Sequence, residues 1–548
     1  MDYLKVMRSC LFSLFLLLFA FVSASAQDID VIHYRFHLVL SDTTDRIEGD
    51  AFINIQILQP TDVISIDLVE ESAGKGMKVN KLKAFALEKL NTLSVQKFEH
   101  KDRKLTIWFD EKLRAGKVYI LHIGYSGIPA DGLIISKNRY GQRTFFSDNW
   151  PNRAHHWIPC NDRPDDKAHF EFFVAVPKGY EVISNGVLKT DSFSNVWIEK
   201  AKQRGSYFHW EETTPLSTKV MVIGAARFAV KEYEDRPGGV PVSAWVYPED
   251  SVAGFYDYAL APSILEFFSN YIAPYPFKKL ANVQSKTIFG GMENASAIFY
   301  AESSVTGDRS SEDLLAHEIA HQWFGDMVSE KSFTHLWLSE GFATYLTNIY
   351  LEHQYGKEVL NKRLQDDREM VIAFARNSDK AVVDSLTPFM ELLNPNSYQK
   401  GGWILHMLRQ ETGDSIFQKI LQTFYQEYQG GNAGSKDFEA IAEKVSGTEL
   451  SWFFDQWLYQ PGVPRIEVKS RYEKKKLYLR SILNEFDYYK NLKIDVQVWF
   501  EDGTSQTFRM PVRSIVTDIL VPDVNSKPVR IVLDPDTKLL FDGKVVMQ

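Results

Sequence analysis

The stretch that decides the fold lies past the middle of the chain and reads His317-Glu318-Ile319-Ala320-His321. Residues four apart lie on the same face of an α-helix, so the two imidazoles can reach one cation. Glu318, one position after the first histidine, lies beside that face and can reach a water molecule bound to the cation. The pattern therefore predicts a metal site on a helix. The alternative is a chance pattern on an ordinary amphipathic helix.

The residues around this motif favour a helix. Ser310, with Asp313 three residues later, is typical of a capping box, in which both side chains bond backbone N–H groups at the helix start. Leu314 and Ile319 supply apolar faces. We predict a helix over residues 311–324.

A third ligand is expected at Glu340, which follows His321 after eighteen intervening residues. Catalytic zinc takes three protein ligands and leaves a fourth position for water or substrate. Glu340 lies in a second helical run, at residues 336–355, and its neighbours are nearly all apolar. An exposed acid in the first turn of a helix is the alternative. An unpaired carboxylate in apolar surroundings is costly, however, and a metal removes that cost.

Two histidines and one glutamate form a catalytic rather than a closed structural set, so we expect one Zn²⁺ per chain. Zinc lowers the pKa of its bound water and polarises a carbonyl, while Glu318 would take the proton of the water and pass it to the leaving amine. Asp326, just after the motif, either supports a ligand histidine or is an ordinary acid at the helix end. These residues by themselves specify only metal-assisted hydrolysis of an amide.

The helical part of the chain resembles the gluzincin family of zinc aminopeptidases that includes aminopeptidase N and the leukotriene-hydrolase aminopeptidase. The resemblance rests on five segments that stand in the family's order. They are Gly290-Gly291-Met292-Glu293-Asn294, the histidine motif extended to Gln322-Trp323-Phe324-Gly325-Asp326, Trp337 to Ala343 with Glu340, Ser397-Tyr398-Gln399-Lys400-Gly401, and Phe453 to Leu458 running into Pro461-Gly462-Val463-Pro464.

The resemblance implies an enzyme that removes N-terminal residues from peptides with a free N-terminus. It implies that Glu293 binds the α-amino group, since a carboxylate about one residue's length from the metal favours a charged N-terminus over an internal peptide. Gly290 and Gly291 would let the substrate backbone approach the edge of a small sheet, Met292 would line the first side-chain pocket, and Asn294 completes this set. A simple Gly-rich turn is the alternative.

Two further residues are assigned through the resemblance. Tyr398 matches the family tyrosine that donates to the developing oxyanion, a role in which one donor supplies about 3 kcal/mol; a buried tyrosine at a helix start is the alternative. Relatives also hold the N-terminus with a segment shortly before a Pro-Cys, and the matching region ahead of Cys160 contains Asp148 and Asn149. We choose Asp148, because a second carboxylate beside Glu293 suits an ammonium group.

The fold class expected is multidomain α+β. Short alternating segments bounded by Gly, Pro and Asp predict strands on both sides of the helical region. We divide the chain into an N-terminal β domain at residues 27–236, a mostly helical zinc catalytic domain at residues 237–462 and a small β-sandwich at residues 463–548. By the resemblance, the first domain is saddle-like and the second thermolysin-like. Residues 501–503 predict a hairpin turn.

The first 26 residues read as a secretory signal. Lys5 and Arg8 supply a positive start, residues 11–22 are apolar, and small residues precede a cleavage expected after Ala26. The protein would then be secreted or periplasmic. An uncleaved membrane anchor is the alternative, but this run is short for a bilayer and no later stretch is long and apolar enough to span one.

The formal net charge is −9, and without the signal it is about −10. An acidic chain without basic runs argues against nucleic acid or an anionic membrane as a partner. Cys160 would be the only cysteine after cleavage, so no intramolecular disulfide is expected.

Family members usually continue into a large helical domain, whereas this chain ends after the predicted β-sandwich. We therefore expect a more open cleft, which a homodimer could cover. A thermolysin-like endopeptidase and a catalytically inactive peptide-binding protein are the competing functions. The endopeptidase would share the zinc site but would have no use for Glu293.

Overall fold

The computed structural model describes residues 29–88, 90–190, 192–198, 203–483, 489, 491–512, 515–522 and 524–547. The predicted signal at residues 1–26 lies outside the described residues. In the described part of the chain, none of the helices has the length and apolar character needed to cross a membrane.

Strands dominate the chain from residue 29 to residue 232, as the alternating pattern predicts. In β2, for example, inward and half-exposed residues alternate along the whole strand. The strands are β1 Ile29–Val39, β2 Ile47–Ile57, β3 Thr61–Asp67, β4 Gly76–Ala86, β5 Asn91–Thr92, β6 Val95–Lys101, β7 Lys104–Leu113, β8 Val118–Ile128, β9 Leu133–Lys137, β10 Arg143–Ser147, β11 Lys167–Pro177, β12 Glu181–Ser184, β13 Val187–Leu188, β14 Phe193–Ile198, β15 Gln203–Ser217, β16 Ile223–Ala226 and β17 Ala229–Glu232.

Apart from β17, these strands form one large sheet and two smaller ones. The large sheet has the order β13-β15-β11-β1-β2-β8-β4-β5, with β14 paired to β15, and its β1 and β11 run parallel. The smaller sheets are β12-β16-β10-β9 and β3-β7-β6. Because β10 ends at Ser147, residues 148–150 directly follow a strand of the first of these smaller sheets, which positions them near the functional site.

Helices dominate the next part of the chain, and the run predicted at residues 336–355 is a helix at Trp337–Tyr355. The elements of this region are β18 Val242–Val246, α1 Ser251–Asp257, α2 Ala261–Tyr271, β19 Leu280–Ser285, β20 Gly291–Met292, β21 Ala297–Ala301, α3 Glu312–Ala320, β22 Ser329–Glu330, α4 Trp337–Tyr355, α5 Lys357–Ala375, α6 Gly401–Thr412, α7 Asp414–Tyr428, β23 Asn432–Ala433, α8 Ser435–Ser446 and α9 Ser451–Leu458.

The histidine helix α3 is shorter than the predicted range of residues 311–324, and the expected capping box is absent. Ser311 occupies the N-cap position, and it makes no side-chain capping bond. The preceding loop wraps around the carboxylate of Asp257, which accepts the backbone N–H groups of Thr306, Gly307 and Arg309. This loop sets the entry of the chain into the helix, so the serine at position 310 has no capping role.

One sheet carries the site segment that precedes α3. Its order is β17-β18-β19-β21-β20, with β18, β19 and β21 parallel and β20 antiparallel at the edge. Strand β17 lies before the predicted domain boundary at residue 236, yet it pairs with β18. The edge strand β20 consists of Gly291 and Met292, so the segment around Glu293 does follow a sheet edge.

The C-terminal part again consists of strands in two sheets, β28-β25-β24-β30 and β27-β26-β29. The predicted hairpin turn is present, since Phe500 N–H donates to Thr504 O at 2.9 Å and Gly503 has a φ of +82°. The strands are β24 Arg465–Glu473, β25 Lys476–Leu483, β26 Leu492–Phe500, β27 Ser505–Val512, β28 Val516–Val521, β29 Pro528–Leu533 and β30 Asp542–Met547.

Two apolar cores run through the described residues. One joins the interior of the N-terminal sheets to the edge sheet and includes Met292 and Phe299. The other joins the helices to the C-terminal strands and includes Leu315 and Ile319 of the histidine helix. The predicted site residues therefore lie where the two cores meet.

Candidate active site

The three predicted metal ligands converge, although they come from two helices. His317 lies in the last turn of α3, His321 directly follows that helix, and Glu340 lies in the first turn of α4. The Nε2 atoms of the two histidines are 3.1 Å apart. Glu340 Oε2 lies 3.4 Å from Nε2 of His317 and 3.3 Å from Nε2 of His321. Three ligand atoms thus form one small, nearly equilateral triangle.

The size of this triangle fits a zinc ion. With bonds of about 2.0–2.1 Å and tetrahedral angles, neighbouring ligand atoms around Zn²⁺ lie about 3.3 Å apart. Imidazole nitrogens and a carboxylate oxygen are also donors that zinc accepts. The residues present therefore fit one Zn²⁺, with a fourth position left for a further ligand.

The ring of His321 is oriented by its other nitrogen. Its Nδ1 lies 3.1 Å from Phe324 O and 3.2 Å from Ser339 Oγ. Because a carbonyl oxygen only accepts, Nδ1 carries the proton and the Nε2 lone pair faces the other two ligands. The neighbouring Glu340 carboxylate, against the effect of burial, raises the pKa of His321 to about 10 in the metal-free protein. A cation would take the place of the second ring proton, the one on Nε2.

The side chain of Glu318 enters the same cavity and is buried there. Burial raises its pKa well above the usual range. The carboxylate occupies the space next to Gly291 of the edge strand, where a Cβ atom would lie 2.3 Å from Glu318 Oε1. Residue 291 therefore has to be a glycine so that the Glu318 carboxylate has room.

Tyr398 is brought to the metal ligands by a close helix contact. It lies in a π-helical turn, Asn396–Lys400, directly before α6. A Cβ atom on Gly341 of α4 would lie 2.8 Å from the backbone of Gly401, so the two elements touch through glycines. The Tyr398 ring stacks beside His317 at 6.1 Å between centroids. Burial and the nearby carboxylates, Glu340 first, raise the phenol pKa, so the hydroxyl stays a donor.

Glu293 is buried in the wall of this cavity. Its Oε1 has no hydrogen-bond partner among the described residues. Burial raises the pKa of its carboxyl group, while His321 opposes that rise. Buried carboxylate oxygens are nearly always paired in proteins, so an unpaired one on a residue that lines a cavity indicates a missing positively charged partner.

The cavity has a volume of about 250 Å³. Three carboxyl groups and two histidines line one part of it, and no Lys or Arg is among its lining residues. A divalent cation together with one ammonium group would match these carboxylates in charge. The lining residues are Trp150, Phe289, Gly290, Gly291, Met292, Glu293, Leu314, His317, Glu318, His321, Glu340, Leu393 and Tyr398.

Asp148, predicted to help bind the substrate amine, is fully buried and does not line the cavity. Its Oδ1 accepts from Arg153 Nη2 at 2.5 Å, and its Oδ2 accepts from the Thr287 hydroxyl and the Ile288 N–H, each at 3.0 Å. Both oxygens are therefore occupied, Oδ1 by the arginine and Oδ2 by the Thr287–Ile288 segment. The structure therefore does not support direct contact, and Asp148 instead ties the end of β10 to the loop that leads to Gly290.

Asn294 and Asp326 also lie outside the cavity wall. Asn294 is buried, and its carbonyl accepts the N–H of Ala297 at 3.0 Å, which closes a turn. Asp326 Oδ2 accepts from the Gln322 amide at 3.0 Å rather than from a histidine ring. Asp326 thus contacts His321 only through the backbone, where its N–H donates to His321 O at 3.1 Å, while its carboxylate meets Gln322.

Much of the apolar wall was missed by sequence reasoning. Trp150, Phe289 and Leu393 join Met292 and Leu314 there. Trp150 packs edge-on against Phe289 at 6.0 Å between centroids. These residues lie far apart in the chain. The only signal in the sequence was that Trp150 follows Asp148 closely and that Phe289 directly precedes Gly290.

A histidine pair at the end of one helix with a glutamate from the next helix is a ligand set of catalytic zinc sites in peptidases. The fold and the site therefore place the chain in the metallopeptidase class. Comparison with known families agrees. The profile described as "Peptidase M1 N-terminal domain" matches residues 31–220, and that described as "Peptidase family M1 domain" matches residues 256–457. Together they match more than half of the chain, and the chain belongs to peptidase family M1.

Curated relatives carry aminopeptidase names. "Probable aminopeptidase 2" of Sulfurisphaera tokodaii is 29% identical over 387 residues, 66% of this chain and 48% of that protein. Human "Glutamyl aminopeptidase" is 26% identical over 474 residues, 80% of this chain and 47% of that protein. "Leucyl aminopeptidase" of Saccharolobus solfataricus is 27% identical over 332 residues, 58% and 41% of the two chains. The chain spans about half the length of the first curated relatives it matches.

Proposed function

We propose that this protein is a zinc aminopeptidase that hydrolyses the N-terminal peptide bond of peptides with a free N-terminus. The observation that carries the proposal is the carboxyl group of Glu293, a residue that lines the same cavity as the metal ligands and whose buried Oε1 has no hydrogen-bond partner among the described residues. An ammonium group would supply the positive partner that this oxygen lacks. An internal peptide segment has no such group, which is why this site favours chain ends.

Three side chains of the protein would divide the chemistry. Bound Zn²⁺ supplies a Lewis acid that polarises the scissile carbonyl and lowers the pKa of water. Glu318 takes the proton of the attacking water and transfers it to the leaving amine. Tyr398 donates its hydroxyl hydrogen to the carbonyl oxygen as negative charge develops there. Glu293 holds the substrate N-terminus, which orients the first peptide bond for attack.

The walls of the cavity favour an apolar first residue. The non-polar lining side chains are Trp150, Phe289, Met292, Leu314 and Leu393, with no basic side chain to pair with an acidic substrate residue. Burying an apolar side chain contributes about 1.5–3 kcal/mol, whereas burying an unpaired carboxylate is costly. We therefore propose a preference for leucine or phenylalanine over glutamate at the substrate N-terminus.

The proposal extends to the setting of the enzyme. The three domains would be residues 27–236, 237–462 and 463–548, with a saddle-like first domain, a thermolysin-like second and a β-sandwich third. The predicted signal supports a secreted or periplasmic protein cleaved after Ala26. Support for these points comes from the sequence pattern and the family, and a homodimer stays a prediction.

The central test is hydrolysis of unblocked and N-acetylated amino-acid anilides by the full chain. We expect cleavage of unblocked substrates only, with leucine and phenylalanine preferred, and loss of activity with a chelator or in Glu318→Ala. Equal cleavage of acetylated substrates would identify an endopeptidase instead. Activity that survives both the chelator and Glu318→Ala, or inactivity of the wild type on the whole panel, would overturn the proposal.

A further inference from the structure

Gln322, the residue after the second motif histidine, is fully buried and uses every hydrogen-bonding position of its amide. Its Nε2 donates to Glu293 O at 2.5 Å and to Asp326 Oδ2 at 3.0 Å. Its Oε1 accepts from Ser296 N–H at 2.8 Å and from the Tyr275 hydroxyl at 3.1 Å. One side chain thus connects the end of the metal-binding helix with the segment that carries Glu293.

Two of these four bonds hold the turn at residues 293–296. Ser296 has a φ of +64°, a left-handed conformation that residues with a side chain rarely adopt. Such a conformation persists only where surrounding contacts impose it. The bonds from Gln322 to Glu293 O and from Ser296 N–H to Gln322 act at the first and last residues of this turn. They therefore determine where the Glu293 backbone lies.

The opposite side of the turn is held by other residues. Asn185 Nδ2 donates to Ala295 O at 2.6 Å, and Gly186 N–H donates to Ser296 Oγ at 2.9 Å. Lys279 Nζ donates to Ser296 O at 2.9 Å. The turn is thus clamped between these groups and Gln322, and Gln322 is the partner on the metal side.

We propose that Gln322 is a positioning residue that sets the spacing between the metal ligands and the amine-binding carboxylate of Glu293. The inference rests on the proposed function. His321 and Gln322 are adjacent in the chain, so a single peptide unit and one hydrogen bond connect a metal ligand to Glu293. Selectivity for a free amine requires both groups to be held within a fraction of an ångström of their working distance. A fully satisfied buried amide provides that rigidity.

The test compares the wild type with Gln322→Met, which keeps the side-chain length and removes all four bonds. The probes are L-leucinol and N-acetyl-L-leucinol, which lack a scissile bond, and their dissociation constants are measured by calorimetry on the zinc-loaded full chain. The wild type should bind L-leucinol, which has a free amine, more tightly than N-acetyl-L-leucinol. In Gln322→Met we expect the ratio of the two dissociation constants to fall about tenfold, which corresponds to the loss of one buried hydrogen bond to a charged group. Zinc, measured by mass spectrometry, should stay at one per chain.

Gln284→Met is the matched control, because Gln284 is a fully buried glutamine on β19, in the sheet whose edge strand β20 precedes Glu293. It accepts from Tyr247 N–H at 2.9 Å and donates to Asp250 Oδ2 at 2.6 Å. This variant should lose stability and keep the preference. If Gln322→Met does not fold, Gln322→Glu serves instead, since it keeps both acceptor bonds.

Three results would count against the role of Gln322. An unchanged preference with a lower unfolding temperature would make Gln322 merely structural. Loss of zinc would assign it to the metal site rather than to Glu293. An equal fall in Gln284→Met would show a general loss of packing. If the wild type hydrolyses only unblocked anilides but any of these three results is obtained, this inference alone is overturned. If the wild type does not distinguish a free amine from an acetylated one, the proposed function is overturned.

Discussion

At the scale of single residues, two adjacent glycines, one just before the edge strand β20 and one at its start, have very different surroundings. A Cβ atom on Gly291 would lie 2.3 Å from Glu318 Oε1, whereas one on Gly290 would have Leu314 Cδ1 as its nearest neighbour at 3.9 Å. Both positions were assigned to the approach of the substrate backbone. The structure shows that Gly291 also leaves room for the proposed general base.

This difference makes a paired prediction. Gly291→Ala should displace the Glu318 carboxylate and lower kcat by about 10²-fold, since general acid–base catalysis contributes about 10²–10⁴-fold. Gly290→Ala should leave kcat nearly unchanged. Steady-state kinetics on a leucine anilide, with unfolding temperatures for both variants, measures this. Equal losses in the two variants would mean that crowding of the substrate, not displacement of Glu318, is responsible.

A second residue-scale prediction concerns the hydroxyl of Tyr398. Tyr398→Phe should lower kcat by about 10²–10³-fold and leave KM nearly unchanged, because an oxyanion donor acts mainly in the transition state. Tyr300→Phe is the control, since Tyr300 is a buried tyrosine that donates to Asn282 and does not line the cavity. A raised KM with an unchanged kcat in Tyr398→Phe would show that Tyr398 only lines the cavity and does not stabilise the oxyanion.

At the scale of elements, the contact between α4 and the turn that leads into α6 places Glu340 and Tyr398 side by side. Gly341 and Gly401 meet there, and a Cβ on either would lie less than 3 Å from the other's backbone. Glycine is normally a poor residue inside a helix. Its presence here shows that close packing of the elements outweighs helix propensity.

The substitution Gly341→Ala tests that conclusion. Helix propensity alone would stabilise the protein by about 1 kcal/mol. Overpacking against the Gly401 backbone should instead destabilise it by about 1–3 kcal/mol and lower kcat by moving Tyr398. Gly402→Ala, whose Cβ would come no closer to another residue than 3.3 Å, at the Thr344 side chain, should cost less. Urea unfolding of the two variants gives the answer, and a stabilised Gly341→Ala would contradict it.

At the scale of the whole molecule, buried lysines connect the N-terminal strands to the segment after the histidine helix. Lys219 Nζ lies 2.6 and 2.8 Å from the carboxylate oxygens of Glu330, and both side chains are almost completely buried. Although burial opposes it, the Glu330 carboxylate holds the pKa of Lys219 above its usual value. Lys167 Nζ donates to the carbonyls of Asp326 and Met327 at 2.9 Å.

Breaking this pair should be costly. Lys219→Met leaves the Glu330 carboxylate buried without a partner and should destabilise the protein by about 3–5 kcal/mol. The double variant Lys219→Met/Glu330→Leu should recover most of that loss, because two apolar side chains replace both charges. Free energies of unfolding in urea decide the matter. A double variant as unstable as the single one would show that the packing, and not the unpaired charge, was at fault.

The local features of this protein could be predicted from its sequence. The four-residue spacing of His317 and His321 places both rings on one helical face, and the apolar run around Glu340 does form a helix. Alternation of apolar residues predicted the strands on both sides. These features follow from periodicities of a few residues, which the backbone geometry of a helix or strand imposes regardless of the rest of the chain.

The meeting of distant segments was decided only by the tertiary structure. Asp148 was expected to face the substrate, but it pairs with Arg153, and the choice between those partners depends on how β10 packs against the loop before Gly290. Trp150 and Leu393 reach one wall from segments that are far apart in the chain. Sequence patterns determined which elements form and which metal they can hold. The pairing of buried charges and the shape of the cavity depend on contacts between remote residues, which no local periodicity encodes.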